Sequence, residues 1–200
     1  MELLLIRHAL PFRVTDPNGA DPALTPEGED QAARLAAAVA DGRYGQIDHL
    51  VSSPVRRALQ TAQHVGAAIA VRPTVDERLV ELSHGWTTYG AAAGYSDRQQ
   101  LFDDMNAGRL GANTFDPEQF RARVVAGVDA AARADASAVA VFCHGGVINA
   151  YLSYVLGTSH MFFTDPFYTS VSRILVSDGR REVLSLNEID HLRNSVVKRS

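Results

Sequence analysis

Glu2-Leu3-Leu4-Leu5-Ile6-Arg7-His8 opens the chain with four consecutive apolar side chains and closes on an arginine and a histidine. An apolar run without alternation fits a strand covered on both faces, as the strands of a parallel sheet are. Two further segments repeat the pattern. Asp48 to Ser52 leads into Ser53-Pro54-Val55-Arg56-Arg57, and Val139 to Cys143 leads into His144-Gly145-Gly146.

Helical periods lie between these runs. Residues 9 to 24 hold Pro11, Pro17, Gly19 and Pro22 and read as a loop. Thr25-Pro26 then reads as an N-cap followed by proline at the first helical position. Ala32, Leu35, Ala36 and Val39 share a face of that helix, which runs to about Ala40. Ser53-Pro54 reads as a second such start, for a helix to about Ala68, with a short strand near Ile69 to Arg72. Pro117 begins a helix to about Ala134. Val147 to Leu156 forms a short helix after a tight turn at His144-Gly145-Gly146. Val171 to Ser177 and Val183 to Leu186 read as strands joined at Asp178-Gly179. Residues 83 to 116, rich in Gly, Tyr, Ser and Asn, read as a long excursion with one helix, Asp97 to Ala107, in a position suited to covering a substrate. Alternation of strand and helix predicts an α/β fold, a three-layer α/β/α sandwich with a mostly parallel sheet of about six strands.

The bulk numbers bound the rest. At 200 residues the length favours one domain spanning 1–200, and no repeat or linker divides it. The chain is 46% hydrophobic and 21% charged, ordinary for a globular protein with a full core. A net charge of −4 gives no basic field for nucleic acid or an acidic membrane, and the tail pair Lys198-Arg199 is too short to change that. The lone Cys143 makes no internal disulfide, and it reads as a small core residue. The apolar run at the start is too short and wrongly flanked for a signal peptide, and no stretch approaches a membrane-spanning length. A cytoplasmic location is expected. Oligomeric state is left open.

The ends of the three buried runs carry the chemistry. If their strands are parallel, Arg7, His8, the Ser53-to-Arg57 segment and His144-Gly145-Gly146 converge on one sheet edge, where such folds bind ligands. Arginine forks match phosphate oxygens. Helix N-termini add N–H donors, and glycine lets backbone approach closely. A phosphate dianion is the natural guest. An imidazole that attacks phosphorus must have one bare ring nitrogen, so it must be neutral, and nearby guanidinium groups keep it so. Arginines and a second, protonated histidine then take the place of a metal. For Arg7 and His8 to reach one phosphate the chain must leave strand geometry near His8, which Ala9-Leu10-Pro11 permits. The leaving alkoxide needs a proton. Glu81 is the best placed donor, beside an aromatic wall at Trp86 that would desolvate it; Asp76, Glu77 and His84 are alternatives.

These motifs resemble the histidine phosphatase superfamily, the phosphoglycerate mutase-like proteins. Leu5-Ile6-Arg7-His8-Ala9 looks like its Arg-His-Gly signature. Leu24-Thr25-Pro26-Glu27-Gly28-Glu29-Asp30-Gln31-Ala32 is similar to its Leu-Thr-x-x-Gly-x-x-Gln-Ala helix start. Ser52-Ser53-Pro54-Val55-Arg56-Arg57-Ala58-Leu59-Gln60-Thr61-Ala62 resembles the second arginine motif, whose functional arginine precedes Ala and so corresponds to Arg57. Leu79-Val80-Glu81-Leu82 with Gly85-Trp86 looks like the segment of the acid, and Cys143-His144-Gly145-Gly146-Val147-Ile148 like the second histidine motif. Asn187-Glu188-Ile189-Asp190-His191-Leu192 is similar to a common closing motif.

The resemblance implies a phosphoglycerate mutase-like fold and a phosphohistidine on His8. It implies Arg7, Arg57, His144 and Gly145 around the phosphate, Glu81 as proton donor, no cofactor, and a small phosphorylated substrate. The chain departs from the pattern at Ala9, at Leu10-Pro11, and at Gly85-Trp86-Thr87-Thr88-Tyr89-Gly90. These loops meet the non-phosphate part of substrates in the family, so substrate identity stays open.

Three functions follow. The first is hydrolysis of a phosphate monoester. The second is a mutase, which needs water excluded and usually an acidic residue where this chain has Leu10-Pro11. The third is a module that binds a phosphorylated ligand without turnover. Arg56 reads as a solvated helix charge. His49, His64, His84, His160 and His191 show no metal spacing. Phe12, Trp86, Tyr89 and Tyr95 are wall or packing residues in equal measure, and Arg13 reads as an exposed loop charge.

Overall fold

The computed structural model describes residues 1–193. Lys198-Arg199, and the fraying expected of the last residues, lie outside this range. Among the described residues lie eight strands and five α-helices, which alternate for most of the chain. Strands β1 (Glu2–Arg7), β2 (His49–Ser52), β3 (Thr74–Val75), β6 (Ala138–Cys143), β7 (Val171–Ser177) and β8 (Arg180–Glu188) form one sheet in the order β3-β2-β6-β1-β7-β8. The first four of that order run parallel, and β7 and β8 add an antiparallel hairpin at the edge. Strands β4 (Arg109–Leu110) and β5 (Asn113–Thr114) pair separately.

The helices are α1 (Pro26–Ala40), α2 (Arg56–Ile69), α3 (Arg98–Asn106), α4 (Pro117–Ala131) and α5 (Gly145–Leu156). Burial on both faces explains the unbroken apolar runs. On β1, Leu4 and Ile6 join α1 and α2 in one core, while Leu3 and Leu5 join α4 and α5 in the other. This is the three-layer α/β/α sandwich with a mostly parallel six-stranded sheet expected from the sequence. No helix among the described residues is long and apolar enough to cross a membrane.

Register decides what the sheet edge presents. Arg7 lies opposite Cys143, and Ser52 lies opposite Phe142. The carboxyl ends of β1, β2 and β6 are therefore level, and His8, Ser53 and His144 leave the sheet side by side. The His8 N–H still donates to the Cys143 carbonyl at 3.0 Å, and the Ser53 N–H to that of Phe142 at 2.9 Å.

Caps explain most boundaries. The Thr25 hydroxyl accepts the Gly28 N–H at 3.0 Å, with Pro26 at the first helical position. Asp97 and Asp116 cap α3 and α4 in the same way.

Three expectations need correction. Ser53-Pro54 is not a helix start, because α2 begins at Arg56 behind an uncapped Val55. The expected strand at Ile69 to Arg72 is absent. Helix α2 continues to Ile69, Ala70 turns left-handed at φ 56°, and the Val71 N–H closes on the Gly66 carbonyl, so the strand comes later, at Thr74–Val75. The tight turn expected at His144-Gly145-Gly146 is the first turn of α5, with His144 in the N-cap position. Inside the 83–116 excursion the structure adds two features to the expected helix, a short helical turn at Ala91–Gly94 and the β4–β5 hairpin.

Candidate active site

His8 is held at both ring nitrogens. Its Nδ1 lies 2.7 Å from the Ala9 carbonyl, which assigns the proton to Nδ1. Its Nε2 then carries the lone pair and receives the Arg57 Nε–H at 3.2 Å. Ala9 is itself anchored, since its N–H donates to the Thr61 hydroxyl on α2 at 3.0 Å. The next residue is fixed by α1. The Leu10 N–H donates to Gln31 Oε1 at 3.0 Å, and Gly28 sits so close that a Cβ there would meet the Leu10 carbonyl at 2.1 Å. The loop after β1 is thus sewn to both helices of one layer, and the chain departs from strand geometry at His8 as the chemistry requires.

Arg7, His8, Arg57 and His144 are all buried, and the His8 and His144 ring centroids lie 5.2 Å apart. Arg7 reaches the Pro166 carbonyl and lies 3.6 Å from Asp165. Its guanidinium stacks 4.2 Å from the Tyr168 ring, and that of Arg57 stacks 4.5 Å from the Tyr89 ring. Burial, then Arg57, then Arg7 push the His8 imidazole well below its ordinary range. Burial, then Arg57, His8 and Arg7 do the same to His144. Both rings are thus held toward the neutral form in this pocket. His144 also sits one layer back. It is fully buried, bonds Ser53 Oγ at 2.9 Å, and does not form part of the cleft wall, whereas Arg7, His8, Arg57 and Gly145 do. Arg7 Nε and His144 Nδ1 are buried without a hydrogen-bond partner among the described residues.

Of the four acid candidates, Glu81 alone lines the same cleft. Its carboxylate accepts the Leu82 N–H at 2.8 Å and the Gly146 N–H at 3.0 Å, at the amino end of α5. The approach is close: a Cβ on residue 146 would lie 2.2 Å from Glu81 Oε1, so any larger residue there would push the carboxylate from its place. Asp76 is engaged with Arg78, and Glu77 and His84 face solvent. Trp86 is not part of the cleft wall, and neither are Phe12 and Tyr95; Tyr89 is. Arg13, expected as a solvated loop charge, is exposed and also stands at the cleft. Arg56 is exposed, and Cys143 is buried in the core.

A model of the histidine phosphatase superfamily (branch 1) matches residues 3–189. The chain belongs to that superfamily. No curated protein matches it in sequence. Among solved structures, phosphoserine phosphatase from Entamoeba histolytica in complex with 3-phosphoglyceric acid superimposes with a TM-score of 0.71 at 20% identity, covering 96% of this chain and 98% of that one. A mycobacterial glucosyl-3-phosphoglycerate phosphatase with VO3 gives 0.72 at 22% identity, with 94% and 99% covered. A putative alpha-ribazole-5'-P phosphatase from Escherichia coli gives 0.72 at 20%, with 94% and 97% covered. These likenesses establish the fold of this superfamily member.

Several neighbours of the histidine pair were not legible as site residues. Tyr168 and Asp165 come from the segment between α5 and β7, which has no motif or period. Thr61 is one of several small residues along the buried face of α2. Thr169 takes a left-handed conformation, φ 58°, unusual for a β-branched residue. Its N–H donates to the Arg7 carbonyl at 3.1 Å, and its hydroxyl contacts His191 Nε2 at 3.0 Å. The Tyr44 hydroxyl holds His191 Nδ1 at 2.8 Å. The closing motif of the histidine phosphatases is therefore present here as a buried brace behind Arg7.

Proposed function

We propose that the protein is a phosphomonoester hydrolase that works through a phosphohistidine on Nε2 of His8, without a metal. The observation that carries this reading is the state of the His8 ring. One nitrogen is tied to the Ala9 carbonyl, and the other, a neutral lone pair, stands beside the Arg57 guanidinium at the cleft wall.

In the first step Nε2 attacks phosphorus and the bond from phosphorus to the ester oxygen breaks. The acid form of Glu81 gives its proton to the departing alkoxide. Arg7 and Arg57 turn their N–H groups to the three equatorial oxygens. Arg7 Nε, a buried donor without a partner among the described residues, suits one of those oxygens, and His144 Nδ1, unpartnered there too, becomes a second donor once that ring is protonated. The dianion's charge also favours protonation of His144, which the guanidinium groups alone oppose. In the second step water attacks phosphorus, its proton passes to the Glu81 carboxylate, and the bond to nitrogen breaks. Phosphate leaves, and His8 is restored.

The test is rapid quenching with a 32P-labelled ester in the presence of EDTA. A labelled protein that loses its label in acid and keeps it in base is expected. His8→Ala should abolish the label and lower turnover by roughly three orders of magnitude or more. Turnover that survives this substitution would assign the nucleophile elsewhere. Conversion of 3- to 2-phosphoglycerate with little free phosphate would make the protein a mutase.

A further inference from the structure

Away from His8 the cleft changes character. Roughly 890 Å³ of space, open solvent included, lies within it, and its lining runs on from His8 to α3 and the β4–β5 hairpin. Its far wall is apolar. Leu101, Leu110 and Phe162 form a buried floor, and Phe102 and Met105 of α3 stand half-buried above it. The charges on this side are already committed. Asp165 binds Arg98 of α3 and also faces Arg7, while Glu81 is held by two backbone N–H groups. Arg13 alone among the cleft cations beyond the phosphate grip has no ion-pair partner among the described residues, and it is exposed at the mouth rather than set against the floor.

We infer that the alcohol this site releases is apolar, an aryl or medium-chain alkyl group that lies against Leu101, Met105 and Phe162. The inference rests on the hydrolase reading above and names its substrate class. A short ester with its own carboxylate, such as phosphoserine or 3-phosphoglycerate, would bring that carboxylate against apolar side chains, with the cleft arginines Arg7 and Arg98 already engaged by Asp165. Desolvation of the carboxylate opposes it. An alkyl chain meets no such cost, and each methylene it buries strengthens binding by about fourfold at most.

The experiment is a length series. Along n-alkyl phosphates from ethyl to octyl the acidity of the released alcohol hardly changes, so a trend in kcat/KM reports burial rather than leaving-group quality. The expected result is a rise of roughly two- to fourfold per methylene until the cleft is filled, with phosphoserine and 3-phosphoglycerate turned over less efficiently than butyl phosphate. The n-alkylphosphonates, which cannot be hydrolysed, should inhibit with Ki values that fall in parallel. Met105→Gln, close in volume but polar, should flatten both trends.

A flat phosphonate series, or a preference for phosphoserine over butyl phosphate, overturns the inference and leaves the hydrolase reading in place. Phosphonates that tighten with length while no phosphate is hydrolysed support the apolar lobe and overturn the hydrolase reading.

Discussion

At the scale of single residues, Glu81 and Gly146 form one working unit. The carboxylate lies on the α5 amino end because position 146 has no side chain. Proton donation matters most where the leaving group is a poor one. Glu81→Gln is therefore expected to slow an alkyl phosphate by roughly a hundredfold or more, while p-nitrophenyl phosphate, whose phenolate needs no proton, slows far less. Gly146→Ala should reproduce the same selective loss, since its Cβ would displace the carboxylate. Equal loss on both esters would remove Glu81 from the role of acid. Much of this unit was legible. His8 and His144 end buried apolar runs, and glycines follow the second. Glu81 was already preferred to Asp76, Glu77 and His84 by its place in the chain, and the structure adds that it alone of the four lines the cleft.

At the scale of elements, the strands and helices around the site depend on a brace from the far end of the chain. His191, on a short helical turn at Asp190–Leu192, links the hydroxyls of Tyr44 and Thr169, and Thr169 in turn binds the carbonyl of Arg7 at the end of β1. His191→Phe keeps the ring volume and removes both partners. The Tyr44 hydroxyl would be left unsatisfied, while that of Thr169 keeps the Tyr168 carbonyl, a loss of roughly 1 to 3 kcal/mol. Urea unfolding monitored by circular dichroism should show it as a lower midpoint at unchanged slope. An unchanged midpoint would mean that the brace carries no stability. The sequence showed the closing motif but not its role, since Tyr44, Thr169 and His191 are far apart along the chain and no local pattern joins them.

At the scale of the whole molecule, folding keeps several imidazoles neutral. Burial, then Arg43, lowers His191 to about 4 against the opposing pull of Asp190, and His8 and His144 are also pushed down. The sign follows from linkage. The unfolded chain takes up protons below about pH 6.5 where the folded one does not. The stability associated with His191 is therefore fully present above pH 6.5 and is lost as pH falls through that value, levelling off near pH 4. The loss from this group is of order 3 kcal/mol. Unfolding free energies measured between pH 7 and pH 4 should fall, and they should fall less steeply in His191→Gln. Parallel curves for the two proteins would contradict the assignment.

By itself the amino-acid sequence determined the layers and the chemistry at the strand ends. Apolar runs without alternation require cover on both faces, and strand–helix alternation then sets a parallel sheet, so the level ends of β1, β2 and β6 follow from local rules. Only the tertiary structure decided which partners complete the site. Asp165, Tyr168, Thr61 and the apolar wall of α3 reach it through the docking of distant segments. That docking is set by packing across the whole core, and no periodicity or cap along the chain encodes it.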